Sequence, residues 1–373
     1  MDVMAIENAA FLPTVYVVTN NPKRSEELGG VLSLFFDLSV FDATSNAGKA
    51  LIEKVPDVVL VEVELTRKGG LNPLLTSADG AEGDHPPFIF IGHKGEGFDA
   101  LVTEFGETSR YLRWPITARK LIDTIGELIS KGAEKSWDVL PEIQKKPLKL
   151  TVEEYKSIAT AIENGEPIDY NSAAVSCAPL ADAVRSGAHH DLLKSVQSHH
   201  NYTYVHSMRV ATLLTLFGHG LGMKGTNLLI LSTGGLLHDV GKLVTPPLIL
   251  DKPGKLTDEE WPIMRDHAVQ SAELMEASDD VTRGAQIIAE QHHEMLDGSG
   301  YPKGLKGNEL NNLARMSVIC DIFGALTDKR SYKEEFSAEM AFGILESMTT
   351  GIDQNLLAMF KDIFISTQMS EVA

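Results

Sequence analysis

Cysteine is nearly absent: Cys177 and Cys320 are the only two in 373 residues. Two thiols cannot build a disulfide framework or a thiolate-rich structural zinc site, and a reducing compartment fits. Basic residues are also scarce. Lys and Arg number 33 against 52 Asp and Glu, for a formal net charge of −19. That balance argues against a nucleic-acid polymer as partner. It still permits a small phosphate-bearing ligand, because bound cations can make a pocket positive. Long hydrophobic runs are missing. The most apolar stretch, Leu228 to Leu237, is interrupted by Ser232, Thr233, Gly234 and Gly235 and is too short to span a membrane. The first residues carry Asp2 and Glu7 and lack the basic start of a signal peptide. The expectation is a cytoplasmic chain with no membrane span. Internal repeats and low-complexity tracts are absent as well.

What is present divides by pattern. Residues 1–130 alternate short β-branched or apolar runs with helical spacing. Thr14–Thr19 is a short β-branched run, Val58–Val63 and Phe88–Ile91 read as strands buried on both faces, and Lys23–Phe36 and Ile116–Ser130 read as helices. Such alternation predicts a parallel sheet with helices on both sides. Gly69–Pro87, rich in Gly, Pro, Ser and Asp, reads as an extended loop. Residues 131–150, with Pro141, Lys145, Lys146 and Pro147, read as a linker. Residues 151–373 read as mostly helical, opening at Thr151 as N-cap with Glu154 at the capping-box position.

The chemistry concentrates in the helical part. His238-Asp239 sets a nitrogen ligand beside a carboxylate that can bridge two cations. His206, His267, the His292-His293 pair and Asp321 follow or precede it at separations that suit one bundle. Asp239 lies in a very apolar helix expected to run from Leu228 to Lys242, and Asp321 in another from Met316 to Leu326. A buried lone carboxylate is costly, and a metal pair removes that cost. The nitrogen and oxygen donor set suits iron, manganese or similar metals. A pair of bridged metals is a recurrent device for displacement at phosphorus. For any one histidine alone, an ordinary core histidine is the better reading; it is the set that points to metal.

Two resemblances follow. Pro56-Asp57-Val58-Val59-Leu60-Val61-Glu62 and Trp114-Pro115 are similar to a response-regulator receiver domain. The chain departs from that pattern at its chemical positions. Thr19, Asn20 and Asn21 replace the acidic pair, Glu62 the phosphorylated Asp, Gly92 the Ser or Thr, and Trp114 the Lys. The expectation is an unphosphorylated receiver-like domain used for docking a protein partner or for homodimerisation. Residues from about 195 to 365 resemble an HD-GYP domain of the HD phosphohydrolase superfamily. The resemblance rests on His206-Ser207-Met208-Arg209-Val210-Ala211, Leu237-His238-Asp239-Val240-Gly241-Lys242 and Leu250-Asp251-Lys252-Pro253-Gly254-Lys255-Leu256. It continues in His292-His293-Glu294, in Asp297-Gly298-Ser299-Gly300-Tyr301-Pro302 and in Ala325-Leu326-Thr327.

The resemblance implies a multidomain chain, with an α/β receiver-like domain followed by an all-α bundle. It implies a phosphodiesterase that opens cyclic di-GMP to pGpG, and in some members on to GMP, by attack of a metal-bridging hydroxide. It places one metal on His206, His238, Asp239 and Asp321, and a second on Asp239, His267, His292 and His293. Asp239 and Lys242 are the catalytic pair it implies, with Lys242, Tyr301, Arg330 and Lys333 as substrate contacts. Iron is the first expectation for the two divalent metals, manganese the second. Three departures bear on turnover. Gly324 stands where the family carries a further Asp, Ser331 replaces a proline, and Tyr202 stands where trinuclear members carry Glu. The alternative is therefore a catalytically weak cyclic di-GMP sensor or scaffold acting through protein partners.

Overall fold

The structure, a computed structural model, describes residues 13–33, 35–42, 44–62, 86–92, 109–250, 252, 255–278, 280–328 and 336–369. The chain forms two compact units, with the division between Lys135 and Ser136.

The first unit is built on a five-stranded parallel sheet of order β2-β1-β3-β4-β5. Its strands are β1 (Thr14–Val18), β2 (Asp37–Phe41), β3 (Val58–Glu62), β4 (Phe88–Gly92) and β5 (Arg110–Arg113). Helices α1 (Pro22–Leu32), α2 (Thr44–Glu53) and α3 (Ala118–Ser136) accompany them. Side chains alternate between the faces of a strand, and here both faces are covered. Val15, Val17, Leu60, Ile89 and Ile91 pack with Leu28, Leu32, Leu121 and Ile125 of α1 and α3. Tyr16, Val18, Val59, Val61, Phe88 and Phe90 pack with Ala47 and Leu51 of α2. Two-sided burial explains why β1, β3 and β4 read as unbroken apolar runs. Strand β2 gives no such run, because it holds an edge and has only exposed and half-buried residues. The loop expected at Gly69–Pro87 lies largely outside the described residues.

The second unit is helical. After a 3-10 turn at Trp137–Val139 come α4 (Glu142–Glu163), α5 (Tyr170–Arg185), α6 (His189–Val196), α7 (Tyr202–Gly220) and α8 (Thr226–Leu237). They are followed by α9 (Pro247–Leu250), α10 (Glu260–Arg265), α11 (His267–Glu276), α12 (Arg283–Gln291), α13 (Asn312–Leu326), α14 (Ala338–Ser347) and α15 (Gln354–Met369).

The stretch read as a linker, residues 131–150, is largely helical: α3 runs to Ser136 and α4 begins at Glu142. Thr151 is not an N-cap but a buried residue inside α4, whose hydroxyl donates to Pro147 O at 2.7 Å. The reason is tertiary. Trp137, Leu148, Val152 and Tyr155 bury against Leu180, Tyr204 and Met208, so packing overrides the local proline and lysine signal.

Helix α7 is the axis of the bundle and is buried from Tyr204 to Gly218. It packs on α5, α8 and α13. Its start is fixed by Asn201, whose Oδ1 accepts from Tyr204 N at 3.0 Å. Helix α8 comes unusually close to it. A Cβ on Gly235 would stand 2.6 Å from Ala211 Cα and 2.8 Å from Ala211 N, so only glycine allows this approach. The expected helix from Leu228 to Lys242 ends earlier. It stops at Leu237, and a 3-10 turn, Val240–Leu243, follows Asp239. Among the described residues no helix is long and apolar enough to cross a membrane.

Candidate metal centre

Each ligand candidate sits at a helix end or on a buried helix. His206 lies on the second turn of α7, and His238 is the C-cap of α8, followed by Asp239. His267 opens α11, His292 is the C-cap of α12, His293 follows it, and Asp321 lies within α13. All seven are buried. Two groups of converging donor atoms result, His206 with His238 and Asp239, and His267 with His292 and His293.

Asp239 divides its oxygens between them. Oδ2 lies 3.4 Å from His238 Nε2 and 3.7 Å from His206 Nε2. Oδ1 lies 3.2 Å from His267 Nε2 and 3.7 Å from His292 Nε2. Asp321 also faces both groups. Its Oδ1 is 2.8 Å from His206 Nε2, and its Oδ2 is 3.6 Å from His293 Nδ1.

The histidine tautomers are set by the backbone. The Nδ1 atoms of His238, His267 and His292 meet the carbonyls of Gly235, Met264 and Ala289 at 2.7, 2.7 and 2.8 Å. A carbonyl only accepts, so each Nδ1 carries the proton and each Nε2 presents a lone pair to the centre. Those lone pairs face acceptors. His267 Nε2 and His292 Nε2 stand 3.3 Å apart. His238 Nε2 and Asp239 Oδ1 are buried and make no hydrogen bond among the described residues. Lone pairs and carboxylate oxygens converging without protons are repulsive unless cations lie between them. One cation is already supplied by the chain: Lys242 Nζ donates to Asp239 Oδ2 at 2.7 Å.

Protonation follows the same logic. Burial drives the pKa of His238 down, drives that of His292 down to about 3, and holds that of His293 well below its ordinary value. These rings stay neutral, as metal ligands must. Burial works against the imidazolium of His206 too, but Asp321 and then Asp239 outweigh it and raise its pKa. Burial opposes ionisation of Asp239, yet the Lys242 ammonium outweighs it and holds its carboxyl well below the usual range.

Tyr301 joins this centre through its ring, stacked on His293 with centroids 4.6 Å apart and planes at 26°. The turn that carries it is tied back twice. Tyr301 N donates to His293 O at 3.1 Å. Glu294, which sequence reasoning left outside the site, accepts from Lys303 N at 2.7 Å and Leu305 N at 2.9 Å. Its place directly after the histidine pair was the available signal. Arg330 and Lys333 lie outside the described residues. Gly324 would direct a Cβ at Val210 and Leu213, 3.5 and 3.6 Å away. Its nearest surroundings are therefore apolar, and Lys242 finds its carboxylate in Asp239. Tyr202 stacks on His206 with centroids 6.1 Å apart. His189 and His199, outside the ligand set, are buried as well. His189 Nε2 lies 3.2 Å from Thr367 Oγ1, and His199 stacks on Trp137.

Residues 191–356 match the family model described as HD domain, and the helical unit carries that domain. A cyclic di-GMP phosphodiesterase of Pseudomonas aeruginosa is 35% identical over 159 residues, 43% of this chain and 38% of its own. The 3'3'-cGAMP-specific phosphodiesterase 3 of Vibrio cholerae is 36% identical over 169 residues, 45% of this chain and 36% of its own. A Vibrio cholerae protein named "Probable cyclic di-GMP phosphodiesterase" is 27% identical over 341 residues, 89% of this chain and 73% of its own. The chain thus spans little more than a third of the length of the first two.

Proposed function

We propose that the helical unit is a metal-dependent phosphodiesterase acting on cyclic di-GMP and releasing pGpG. The observation that carries this reading is the division of the two Asp239 oxygens between two histidine groups, in which His238, His267 and His292 turn proton-free Nε2 atoms to the centre. His206, His238, Asp239 and Asp321 would hold one divalent cation, and Asp239, His267, His292 and His293 another. Divalent cations bound there would supply charge that polarises a phosphodiester and acidifies water. An oxygen and nitrogen donor set without thiolate favours iron, with manganese next.

The chain's own groups do the rest. Three backbone carbonyls keep the rings oriented. Lys242, one turn from Asp239, brings an ammonium to the anionic phosphate, and Tyr301, stacked on His293, contacts the ligand. The cyclic dinucleotide assignment draws on the relatives' names and on the Gly300-Tyr301-Pro302 turn beside His293. The N-terminal unit, on this reading, docks a protein partner or a second copy and does not receive phosphate.

The test is turnover. The full chain, loaded anaerobically with ferrous iron or with manganese, is mixed with cyclic di-GMP and the products are separated by chromatography. Formation of pGpG is expected. Tight binding of the nucleotide without any product would replace the enzyme with a sensor.

A further inference from the structure

A further cation, Arg265, stands beside the centre. Arg265 ends helix α10, two residues before His267, and is exposed. Its guanidinium carbon lies 5.3 Å over the Tyr301 ring and 5.7 Å over that of Trp261. Trp261 is four residues earlier, on the same helix face, and is anchored in a small cluster with Ile249, Leu256 and Met264. Tyr301 is in turn stacked on His293. Two anchored rings therefore hold the guanidinium, and one aromatic ring separates it from the histidine centre. Among the described residues, no carboxylate or carbonyl accepts a hydrogen bond from it.

Arginine presents five N–H donors in a rigid plane and stacks readily on aromatic faces. A stacked arginine with an unused donor edge is suited to a planar partner carrying two adjacent acceptors. Guanine offers such a pair in O6 and N7. Adenine offers N7 beside an N6 amino group, which opposes an arginine donor. The phosphate contact falls to Lys242, beside the Asp239 carboxylate at the centre. A base, by contrast, lies one sugar away from its phosphate, as Arg265 lies one ring away from His293.

We infer that Arg265, held between Trp261 and Tyr301, reads the O6/N7 edge of a guanine in the substrate and sets base selectivity. The inference rests on the phosphodiesterase reading and deepens it. Selectivity is a real question for this chain, since its relatives include proteins named for cyclic di-GMP and for 3'3'-cGAMP.

The experiment compares metal-loaded full-length wild type with Arg265→Gln and Arg265→Lys, measuring kcat and KM for cyclic di-GMP and cyclic di-AMP. Metal content per chain is the control. In Arg265→Gln the ratio of kcat/KM for guanine over adenine substrate should fall on the order of tenfold, mainly through KM, because a glutamine amide matches adenine N6/N7. Arg265→Lys should keep part of the guanine preference, since an ammonium also donates to O6 and N7. An unchanged ratio in Arg265→Gln overturns the inference, whether both activities fall together, as for a phosphate contact, or neither falls. If wild type cleaves no cyclic dinucleotide, the phosphodiesterase reading fails by itself. Calorimetry of GMP and AMP binding to metal-loaded wild type and Arg265→Gln then decides. A guanine preference lost in the variant supports Arg265, and equal affinities of wild type for the two nucleotides overturn it.

Discussion

Asp239 joins the two halves of the site, because its Oδ2 stands 3.4 Å from His238 Nε2 and its Oδ1 3.2 Å from His267 Nε2. Replacing it removes the shared anion as well as two donor contacts. Asp239→Ala should lose both metals, read by elemental analysis against about two per chain in a fully loaded wild-type sample. Full metal content in the variant would end the bridging assignment. Lys242→Ala asks a different question. The ammonium is buried against Asp239, and a charge-assisted bond from it to phosphate is worth about 1.5–3 kcal/mol. The variant should keep its metals and bind cyclic di-GMP more weakly by calorimetry. Wild-type affinity together with wild-type turnover would remove Lys242 from the site.

At the scale of elements, ligand convergence depends on how closely α8 approaches α7. The rings of His206 and His238 stand 5.2 Å apart because Gly235 meets the backbone of Ala211. Gly235→Val must push the helices apart, since backbone cannot rotate away. Overpacking of this kind costs about 1–3 kcal/mol or more. Both Tm and metal content should fall, and retention of both would show that the approach is not what sets the ligands. In the N-terminal unit, β3 ends at Glu62, which is already engaged. Thr19 Oγ1 donates to its Oε2 at 2.6 Å, Arg24 pairs with its Oε1, and Arg24 lies 5.1 Å over Trp114. Incubation with acetyl phosphate should therefore give no phosphoprotein. A stable band that disappears in Glu62→Gln would overturn that.

Elements also show what could be read from residues alone. Strands β1, β3 and β4 were legible because two-sided burial writes itself as apolar runs. The ligand candidates were legible because polar residues in apolar helices demand partners. The end of α8 was not, since an apolar stretch from Leu228 into Val240 carries no periodicity that marks a break. Helix α4 was hidden by Pro141 and Pro147. The Trp261–Arg265 pair looks like any solvated helix face until Tyr301 is brought against it.

For the whole molecule, the same centre ties folding to protons and to metal. His238, His292 and His293 are neutral when folded, with pKa values lowered by burial, to about 3 for His292. In the unfolded chain they titrate near 6.5. Below that pH the unfolded state binds more protons than the native state, so stability falls as pH drops. The loss continues for His292 until its folded pKa is reached. Asp239 and Asp321, also lowered, act in the same direction further down, where their contribution is lost as pH falls through their folded values. His206, raised by Asp321, acts oppositely. Its contribution is complete below 6.5 and fades as pH rises through its folded value. Three depressed rings against one raised ring leave acid destabilising. Metal steepens the trend, because ligands must be deprotonated and binding to the native state alone adds about 2.7 kcal/mol at a hundredfold excess over Kd. Urea unfolding of metal-free protein should show a lower midpoint at pH 5 than at pH 7.5, and the gap should widen with metal present. A metal-free midpoint that is unchanged or higher at pH 5 would mean that the buried rings are not held neutral, and that the lone pairs facing Asp239 are not available for metal.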